Sequence, residues 1–245
     1  MAAPSKSLLW DVTEATNALM PPVYLSNVSA WHGHIPFAFW ITQVAQPHRF
    51  VELGVHQGDS YMAFCRGLAE TTEGVSMGID TFEGDIQTGP YSREVYTSLC
   101  EVHDPLYRRF STLVRKTFDR AVGLFSDGSI DLLHLDGLHT AEAVAHDVET
   151  WLPKLSDRGI LLLHDTLSTN PDFGVWRVLA QLRKDYPVFE FFHSNGLALV
   201  LVGNQQPQIL FDLACEDKTP EGEWVRNYFR MLAERIALHR KARNA

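Results

Sequence analysis

The stretch Arg49-Phe-Val-Glu52-Leu-Gly54-Val-His-Gln-Gly58-Asp-Ser60 places two glycines between a short apolar run and an amphipathic segment. The apolar run has the length of a strand and ends at Glu52. After it, apolar residues recur at helical spacing and predict a helix over Gly58–Glu70; they are Tyr61, Phe64, Cys65 and Leu68. Glycine tolerates positive φ and lets a ligand approach the backbone closely. The stretch therefore predicts a strand, a ligand-binding turn and a helix.

The same alternation of apolar runs and amphipathic stretches continues along the chain. Further strands are predicted at GVSMGID (74–80), SIDLLHLD (129–136) and GILLLHD (159–165). VFEFFHS and GLALVLVG flank Asn195-Gly196, a hairpin signal that makes the last two strands antiparallel. Thr140 is a predicted helix N-cap, and further helices are predicted over Val175–Tyr186 and near Trp224–Arg240. The expected fold is α/β: a Rossmann-like three-layer sandwich with a mostly parallel seven-stranded sheet and an antiparallel C-terminal hairpin strand.

The chain divides by pattern into three parts. Residues 1–48 form a helical and aromatic cap segment with an irregular stretch WHGHIPFAFW (31–40), and residues 49–204 form the cofactor-binding core. Residues 205–245 are a C-terminal loop and helix. Within the core, the polar segment from Thr81 to about Pro105 is predicted to be a loop-like excursion.

Composition excludes several classes of function. The chain has 245 residues, which suits one large domain, and a formal net charge of -9, which disfavours nucleic acid as a partner. Three widely spaced cysteines without a CxxC pair indicate reduced thiols. We identify no signal peptide and no apolar run near the ~20 residues of a membrane span, so a cytoplasmic location is expected.

Four predicted strands each end in a carboxylate: Glu52, Asp80, Asp136 and Asp165. A single acid at a strand end is ordinary, because loops are polar. Parallel strands, however, bring their carboxyl ends to one edge, where ligands of open α/β sheets bind. Clustered carboxylates repel one another unless protons, hydrogen-bond donors or a cation offset the charge. The four acids therefore predict a site for a ligand that is cationic or rich in hydroxyl groups.

The turn reads E-x-G-x-x-x-G, which differs from the dinucleotide fingerprint G-x-G-x-x-G at His56. A nicotinamide or flavin pyrophosphate is therefore a poorer fit. Asp80 ends the next strand, where an acid accepts hydrogen bonds from ribose hydroxyls.

These motifs resemble class I S-adenosylmethionine-dependent methyltransferases from Phe50 to about Gly203. The runs SAWHGHIPFAFW (29–40), DTFEGD (80–85), LHLDGLH (133–139) and WLPKL (151–155) are similar to the bacterial sugar and polysaccharide O-methyltransferase group of family 24 type. That group is akin to metal-dependent enzymes that methylate antibiotic sugars. The resemblance implies S-adenosylmethionine as cofactor and the following cofactor-binding residues: Glu52, Gly54, Gly58, Ser60, Asp80, Thr81 and Phe82. Of these, Thr81 and Phe82 would flank the adenine.

A sugar hydroxyl is a very weak acid, so its methylation needs a general base, a divalent cation or both. In the metal-dependent relatives a D-x-x-H turn supplies a metal ligand and the base, and here it reads Asp136-Gly-Leu-His139. The second metal position in those relatives is a pair of acids, whereas here it is His164-Asp165. Asp136, Asp165 and His164 are thus the expected ligands of Mg²⁺ or Mn²⁺, although neighbours on a strand point to opposite faces.

Other histidines have simpler interpretations. His134 alternates with Ile130 and Leu132 along its strand, which favours a hydrogen-bonded core histidine. For His32 and His34, a place in a lid over the substrate or cofactor and simple packing at the surface are equally favoured interpretations.

The leading hypothesis is a metal-assisted O-methyltransferase that acts on a sugar, free or within a glycan. Its alternatives are an inactive cofactor-binding module beside a glycosyltransferase and, less favoured, a nicotinamide dehydrogenase. The basic end of the last predicted helix, LHRKAR (238–243), suits a homodimer contact or a connector to a neighbouring glycosyltransferase domain.

Overall fold

The alternating pattern folds into a seven-stranded sheet with helices on both faces. The structure is a computed structural model that describes residues 8–71 and 73–243. The strands of the sheet are β1 (Arg49–Leu53), β2 (Val75–Asp80), β5 (Ser111–Arg115), β6 (Ile130–Leu135), β7 (Leu155–His164), β8 (Val188–Phe191) and β9 (Leu197–Leu201); a separate hairpin contains β3 (Gly84–Asp85) and β4 (Gly89–Pro90). The helices are α1 (Leu8–Glu14), α2 (Ile35–Ala45), α3 (Asp59–Thr71), α4 (Arg93–Tyr107), α5 (Phe118–Ala121), α6 (Ala141–Trp151), α7 (Val175–Asp185), α8 (Gln208–Cys215) and α9 (Pro220–Arg243).

The strand order is β5-β2-β1-β6-β7-β9-β8. The five strands from β5 to β7 pair in parallel, and β9 is antiparallel to both of its neighbours. This confirms the predicted α/β fold, the mostly parallel seven-stranded sheet and the antiparallel hairpin after Asn195-Gly196. Chain order reverses at β1, so the turns after β1, β2, β6 and β7 meet at one edge.

Two apolar clusters fill the spaces above and below the sheet, which gives the three expected layers. One cluster joins the sheet to α2, α3, α8 and α9, for example through Phe37, Phe64 and Phe229. The other joins it to α5, α6 and α7, for example through Trp151 and Leu179. Residues before 49 and after 204 pack on the first cluster, and the boundaries at 48 and 204 stay a prediction.

The segment 31–40 was expected to be irregular, and this was wrong. It contains a short 3₁₀ turn over His32–His34 and then the start of α2, with Pro36 in the first helical turn, where no N–H is needed. All residues from Ile35 to Thr42 are buried. A helix that is buried all round has no polar face, so it shows no amphipathic period in the sequence.

The excursion from Thr81 to Pro105 is also more ordered than expected. It forms the β3–β4 hairpin and then α4, whose buried face consists of Leu99, His103 and Tyr107. Pro105 lies inside the last turn of α4. The helix continues to Tyr107 because these three residues, at a spacing of four, anchor it to the core.

The remaining boundaries differ little from expectation. Thr140 caps α6 by accepting a hydrogen bond from the Ala143 amide at 3.2 Å. The last helix begins at Pro220, four residues before the expected start. Among the described residues, no helix combines the length and apolar character that a membrane crossing requires.

Candidate active site

A cavity of about 610 Å³ opens at the edge where the parallel strands end. Its walls come from the turns after β1, β2, β6 and β7, from the β3–β4 hairpin and from the segment before α2. Most of the residues predicted for the site line this cavity: Gly54, Gly58, Ser60, Asp80, Thr81, Asp136, His139, His164 and Asp165. Glu52 and Phe82 do not line it.

The glycine turn passes close to the neighbouring strand. Gly54 has φ of 90° and Gly58 has φ of 89°, a conformation that side chains rarely adopt. A Cβ on Gly54 would lie 2.1 Å from the carbonyl oxygen of Asp136, and one on Gly58 would lie 2.4 Å from Leu99 Cδ1. Only glycine fits at these two positions, and the turn exposes its backbone to the cavity.

Asp80 holds this turn in place. Its Oδ2 accepts hydrogen bonds from the amides of Val55 and His56, both at 2.9 Å, and its Oδ1 accepts one from the Phe82 amide at 2.7 Å. A carboxylate has about four acceptor positions. Asp80 therefore shapes the turn and keeps acceptor capacity for a ligand hydroxyl in the cavity.

Glu52 lies beneath the cavity floor and is fully buried. Ser60 donates to its Oε1 at 2.7 Å, and His134 Nδ1 lies 3.0 Å from its Oε2. Trp31 Nε1 donates to His134 Nε2 at 3.2 Å. An indole only donates, so His134 Nε2 accepts and its Nδ1 carries the proton that bonds Glu52. This confirms that His134 is a buried histidine whose two ring nitrogens are both hydrogen-bonded. Glu52 lies below Ser60 and holds its hydroxyl group.

Burial raises the pKa of Glu52 above its ordinary value, although His134 and Ser60 act in the opposite direction. Phe82, predicted beside the adenine, is buried and packs against Tyr96 with ring centroids 4.9 Å apart. Its φ of 55° turns the chain at the end of β2, so that its neighbour Thr81 lines the cavity instead.

Asp136, His139 and Asp165 form one group at the cavity wall. His139 Nε2 lies 3.2 Å from Asp136 Oδ1 and 3.0 Å from Asp165 Oδ2. One ligand atom from each of the three residues lies within 4.8 Å of the others. Carboxylates at the ends of the neighbouring strands β6 and β7 thus share one imidazole, which hereafter is called the acid–histidine group.

The backbone at Asp165 explains how this group assembles. Asp165 has φ of 60°, a left-handed conformation that is costly for a residue other than glycine. The turn breaks the strand alternation, so that His164 contacts Asp136 at 3.2 Å and the adjacent Asp165 contacts His139 at 3.0 Å. Neighbouring side chains on a regular strand point to opposite faces, and this change of backbone direction at the strand end brings those of His164 and Asp165 to the same group.

His164, predicted as a metal ligand, is already engaged through both ring nitrogens. Its Nδ1 lies 3.2 Å from Asp136 Oδ1, and its Nε2 lies 3.0 Å from the carbonyl oxygen of Ser194. His164 is buried, and His139 takes the third place in the group of possible ligands. His164 thus holds the Asp136 carboxylate in place through its Nδ1 contact.

The charges of the group are coupled. Burial alone would raise the pKa of Asp136, but His164 and His139 hold it well below its usual range. Burial opposes protonation of His139, yet its hydrogen bonds to Asp136 and Asp165 raise its pKa to about 9. Burial also opposes protonation of His164, but the negative charge of Asp136 outweighs it and raises the pKa of His164. The Asp136 and Asp165 carboxylates therefore hold a proton on His139 strongly.

Several residues of the cavity were not identified from the sequence. Gln87 contacts His139 from the β3–β4 hairpin, and Phe173 stacks on His139 with ring centroids 4.3 Å apart. Tyr91 stacks on His56 at 4.7 Å, and Asp59 binds His32 Nε2 at 2.9 Å. Their segments carry no regular pattern, so only the fold brings them to the site. His32 and His34 are both buried, which excludes the surface-packing interpretation.

Comparison with known proteins agrees with this geometry. Residues 51–166, which contain the glycine turn and the acid–histidine group, match the model of a family described as a methyltransferase domain. This match assigns residues 51–166 to a methyltransferase domain. The strand order of the sheet is the one expected for this fold.

Solved structures with the same fold include several methyltransferases. The chain is similar to the PaMTH1 methyltransferase of Podospora anserina bound to SAH, with a TM-score of 0.54, 16% identity and coverage of 82% of this chain and 98% of that one. It is also similar to the O-methyltransferase TomG of Streptomyces achromogenes in complex with SAM, with a TM-score of 0.53, 14% identity and coverage of 83% and 93%. At these identities the likeness extends to the fold.

A sequence relative is much longer than this chain. The chain is 38% identical over 220 residues to the uncharacterized protein y4gI of Sinorhizobium fredii. The match covers 88% of this chain and 24% of the relative, so the methyltransferase domain corresponds to about a quarter of that protein.

Proposed function

We propose that this domain is an S-adenosylmethionine-dependent O-methyltransferase that methylates a sugar hydroxyl, free or in a glycan, with help from a divalent cation. One observation carries the proposal: the acid–histidine group and the glycine turn line the same cavity. The turn suits a nucleoside cofactor, and the group suits the activation of a hydroxyl.

The cofactor end is built from the glycine turn and the end of β2. Ser60 and Thr81 line it, and Asp80 offers a carboxylate to ribose hydroxyls. The SAH and SAM complexes of the structural neighbours support this assignment for the same fold. Glu52, which lies below the cavity floor, would position Ser60 by accepting its hydrogen bond.

The acid–histidine group fits a hard divalent cation. Asp165 Oδ1 is buried and has no hydrogen-bond partner among the described residues. The carboxylate oxygens of Asp136 and Asp165 are ligands for Mg²⁺ or Mn²⁺ rather than for a metal that prefers thiolates. Asp136 and Asp165 would hold the cation. When bound, it would supply positive charge that lowers the pKa of both His139 and the acceptor hydroxyl.

The remaining chemistry belongs to the side chains and the cofactor. S-adenosylmethionine, when bound, supplies a methyl group on a positively charged sulfur. Gln87 and Phe173 keep His139 oriented, and neutral His139 would accept the proton of the acceptor hydroxyl at Nε2 as the hydroxyl oxygen attacks the methyl carbon. His164 fixes Asp136 through its contact at 3.2 Å. The proton would thus pass from the hydroxyl to His139 while the new O–C bond forms and the bond between the methyl carbon and sulfur breaks, which leaves S-adenosylhomocysteine as the second product.

The sugar assignment rests on the family resemblance and on the polar acceptor side of the cavity. That side includes Asp85, Gln87, Thr88 and Asn170, which offer hydrogen bonds to a hydroxylated ligand. The greater length of the relative agrees with a neighbouring domain. A glycosyltransferase neighbour, a homodimer and a cytoplasmic location stay predictions.

The test measures methyl transfer to a panel of sugars and nucleotide sugars, with and without EDTA. We expect activity that EDTA abolishes and Mg²⁺ or Mn²⁺ restores. His139→Ala should lower kcat at least a hundredfold, the lower end of a general base's contribution, with nearly unchanged S-adenosylmethionine affinity in calorimetry. Asp136→Asn with Asp165→Asn should abolish the response to metal. The exposed Asp119→Asn serves as the control.

Different results would reject different parts of the proposal. Full activity in EDTA would reject the cation, and full activity of His139→Ala would reject the base. Binding of S-adenosylmethionine without transfer to any hydroxyl would favour the inactive module, in which the acid–histidine group would have no use.

A further inference from the structure

One part of the cavity lies between α5 and α6 and is called the helix arm hereafter. Its lining residues are Thr117, Phe118, Ala143, His146 and Asp147. His146 Nε2 lies 2.7 Å from Asp119 Oδ1, and this contact ties α6 to α5. A Cβ on Gly137 would lie 2.5 Å from Phe118 Cε2, so the Phe118 ring covers the backbone just after β6. The helix arm is thus bounded by α5, by α6 and by the end of β6.

Asp147 brings an unpartnered carboxyl group to the helix arm. Only 7% of the residue is exposed, yet it lines the cavity. Burial raises its pKa to about 6, the charges of His146 and Asp119 have smaller effects, and no described residue donates a hydrogen bond to its carboxyl. Buried polar side chains nearly always have a hydrogen-bond partner, so a carboxyl without one needs an explanation.

The other side chains of the helix arm are apolar or already engaged. Two of them, a phenylalanine and an alanine, have no polar atom. The Thr117 hydroxyl caps α5 by accepting a hydrogen bond from the Arg120 amide at 3.4 Å, and the His146 ring is bound to Asp119. A ligand that enters the arm with an N–H donor would therefore meet the carboxyl of Asp147.

The course of the cofactor through the cavity points its base toward the helix arm. This step rests on the proposed function, in which the methyl group lies near the acid–histidine group and the ribose lies near Asp80. The sulfur is attached to C5′ of the ribose and the base to C1′, on the other side of the ring. In the sheet, β5 lies beyond β2, away from β6 and β7. The base therefore extends past β2 toward the turn after β5, where Thr117 and Phe118 open the helix arm.

We propose that Asp147 accepts a hydrogen bond from the 6-amino group of the cofactor's adenine and so selects this base over purines that lack the amino group. A carboxyl keeps an acceptor oxygen for an N–H donor whether it is charged or neutral. Phe118 lines the cavity beside this position, whereas Phe82, predicted beside the adenine, does not. The bound base would give the Asp147 carboxyl the donor that the protein itself does not supply.

Two ligands isolate the contribution of the amino group. One is S-adenosylhomocysteine, and the other is its analogue with unsubstituted purine as the base, in which hydrogen replaces the 6-amino group. In calorimetric titration, the wild type should bind S-adenosylhomocysteine about 10- to 100-fold more tightly than the analogue, which is the range for a hydrogen bond to a charged group.

Three variants assign this preference to one side chain. Asp147→Leu fills a similar volume without an acceptor and should reduce the preference at least about tenfold, whereas Asp147→Asn retains a carbonyl oxygen and should keep most of it. Glu149→Leu is the matched control, because Glu149 is an exposed acid on the same helix and does not line the cavity. Circular dichroism checks that each variant is folded. The preference is a ratio of two affinities for one protein, so a general weakening of binding cancels.

Equal affinities of the wild type for the two ligands, or an unchanged preference in Asp147→Leu, would overturn the proposal. The same loss in Glu149→Leu would overturn it too, because the charge of α6 would then be responsible. Failure of the proposed function gives a different result: the wild type shows the full preference but transfers no methyl group to any sugar, and the assignment of Asp147 still stands. A wild type that binds neither ligand would reject the cofactor site and the role of Asp147 with it.

Discussion

Gly54 packs directly on the backbone of Asp136. The Asp136 amide donates to the Leu53 carbonyl oxygen at 2.8 Å, and a Cβ on Gly54 would lie 2.1 Å from the Asp136 carbonyl oxygen. The turn for the cofactor and the first residue of the acid–histidine group are therefore placed by one contact between β1 and β6. A shift of the turn would move both ends of the cavity.

Gly54→Ala should damage both stability and cofactor binding. A left-handed conformation costs a non-glycine residue about 1–2 kcal/mol, and the clash with the Asp136 carbonyl adds to this cost. Urea unfolding and calorimetric titration with S-adenosylhomocysteine measure the two effects. Gly123→Ala is the control, because a Cβ there meets nothing within 4 Å. Equal stability and affinity of the two variants would contradict the role of the contact.

Asp80→Ala should weaken S-adenosylmethionine binding about 10- to 100-fold. The loss combines hydrogen bonds to the ribose with a looser turn, since three backbone amides lose their acceptor, and each factor of ten corresponds to about 1.4 kcal/mol. Isothermal titration measures the affinity. The exposed Glu83→Ala, three residues later, should bind the cofactor as the wild type does. Unchanged affinity of Asp80→Ala would place the ribose elsewhere.

Trp31→Phe should destabilise the domain by about 1–3 kcal/mol, because it leaves His134 Nε2 buried without a donor. The aromatic packing of Trp31 on Phe64 and His134 is largely kept by phenylalanine. Thermal and urea unfolding give the change in free energy. The half-exposed Trp176→Phe should have little effect. A neutral result for Trp31→Phe would mean that water replaces the indole N–H.

Asp147→Asn should stabilise the domain at neutral pH. Burial raises the pKa of Asp147 to about 6 in the folded state, against about 3.9 in an unfolded chain. Because the charged form is disfavoured by folding, the wild type loses stability as pH rises from about 4 to about 6 and stays lower above that. The variant should match the wild type near pH 4 and exceed it at pH 7.

Urea unfolding across this pH range, without ligand, tests the sign. The exposed Asp172→Asn is the control and should follow the wild type at each pH. A variant that is less stable than the wild type at pH 7 would show that the Asp147 carboxylate is stabilising when charged.

Strong local patterns made most of the fold predictable. The strands ending at Asp80 and Asp136 are mostly apolar runs of strand length, and Asn195-Gly196 marks the last hairpin by turn chemistry alone. By contrast, α2 was missed because its residues are buried on all sides, and α4 because its polar segment was interpreted as part of an excursion without regular structure. Periodicity reports one polar and one apolar face, so an element that lacks this contrast escapes it.

The candidate site divides in the same way. The glycine spacing, the acids at the strand ends and the D-x-x-H turn are local, and the sequence by itself determined that they share one edge of a parallel sheet. Only the tertiary structure decided that Asp165 turns left-handed, that His139 lies within 3.2 Å of both carboxylates whereas His164 is this close to Asp136 alone, and that Gln87 contacts His139. These outcomes depend on distances between segments far apart in the chain, and spacing along a sequence carries no such distances.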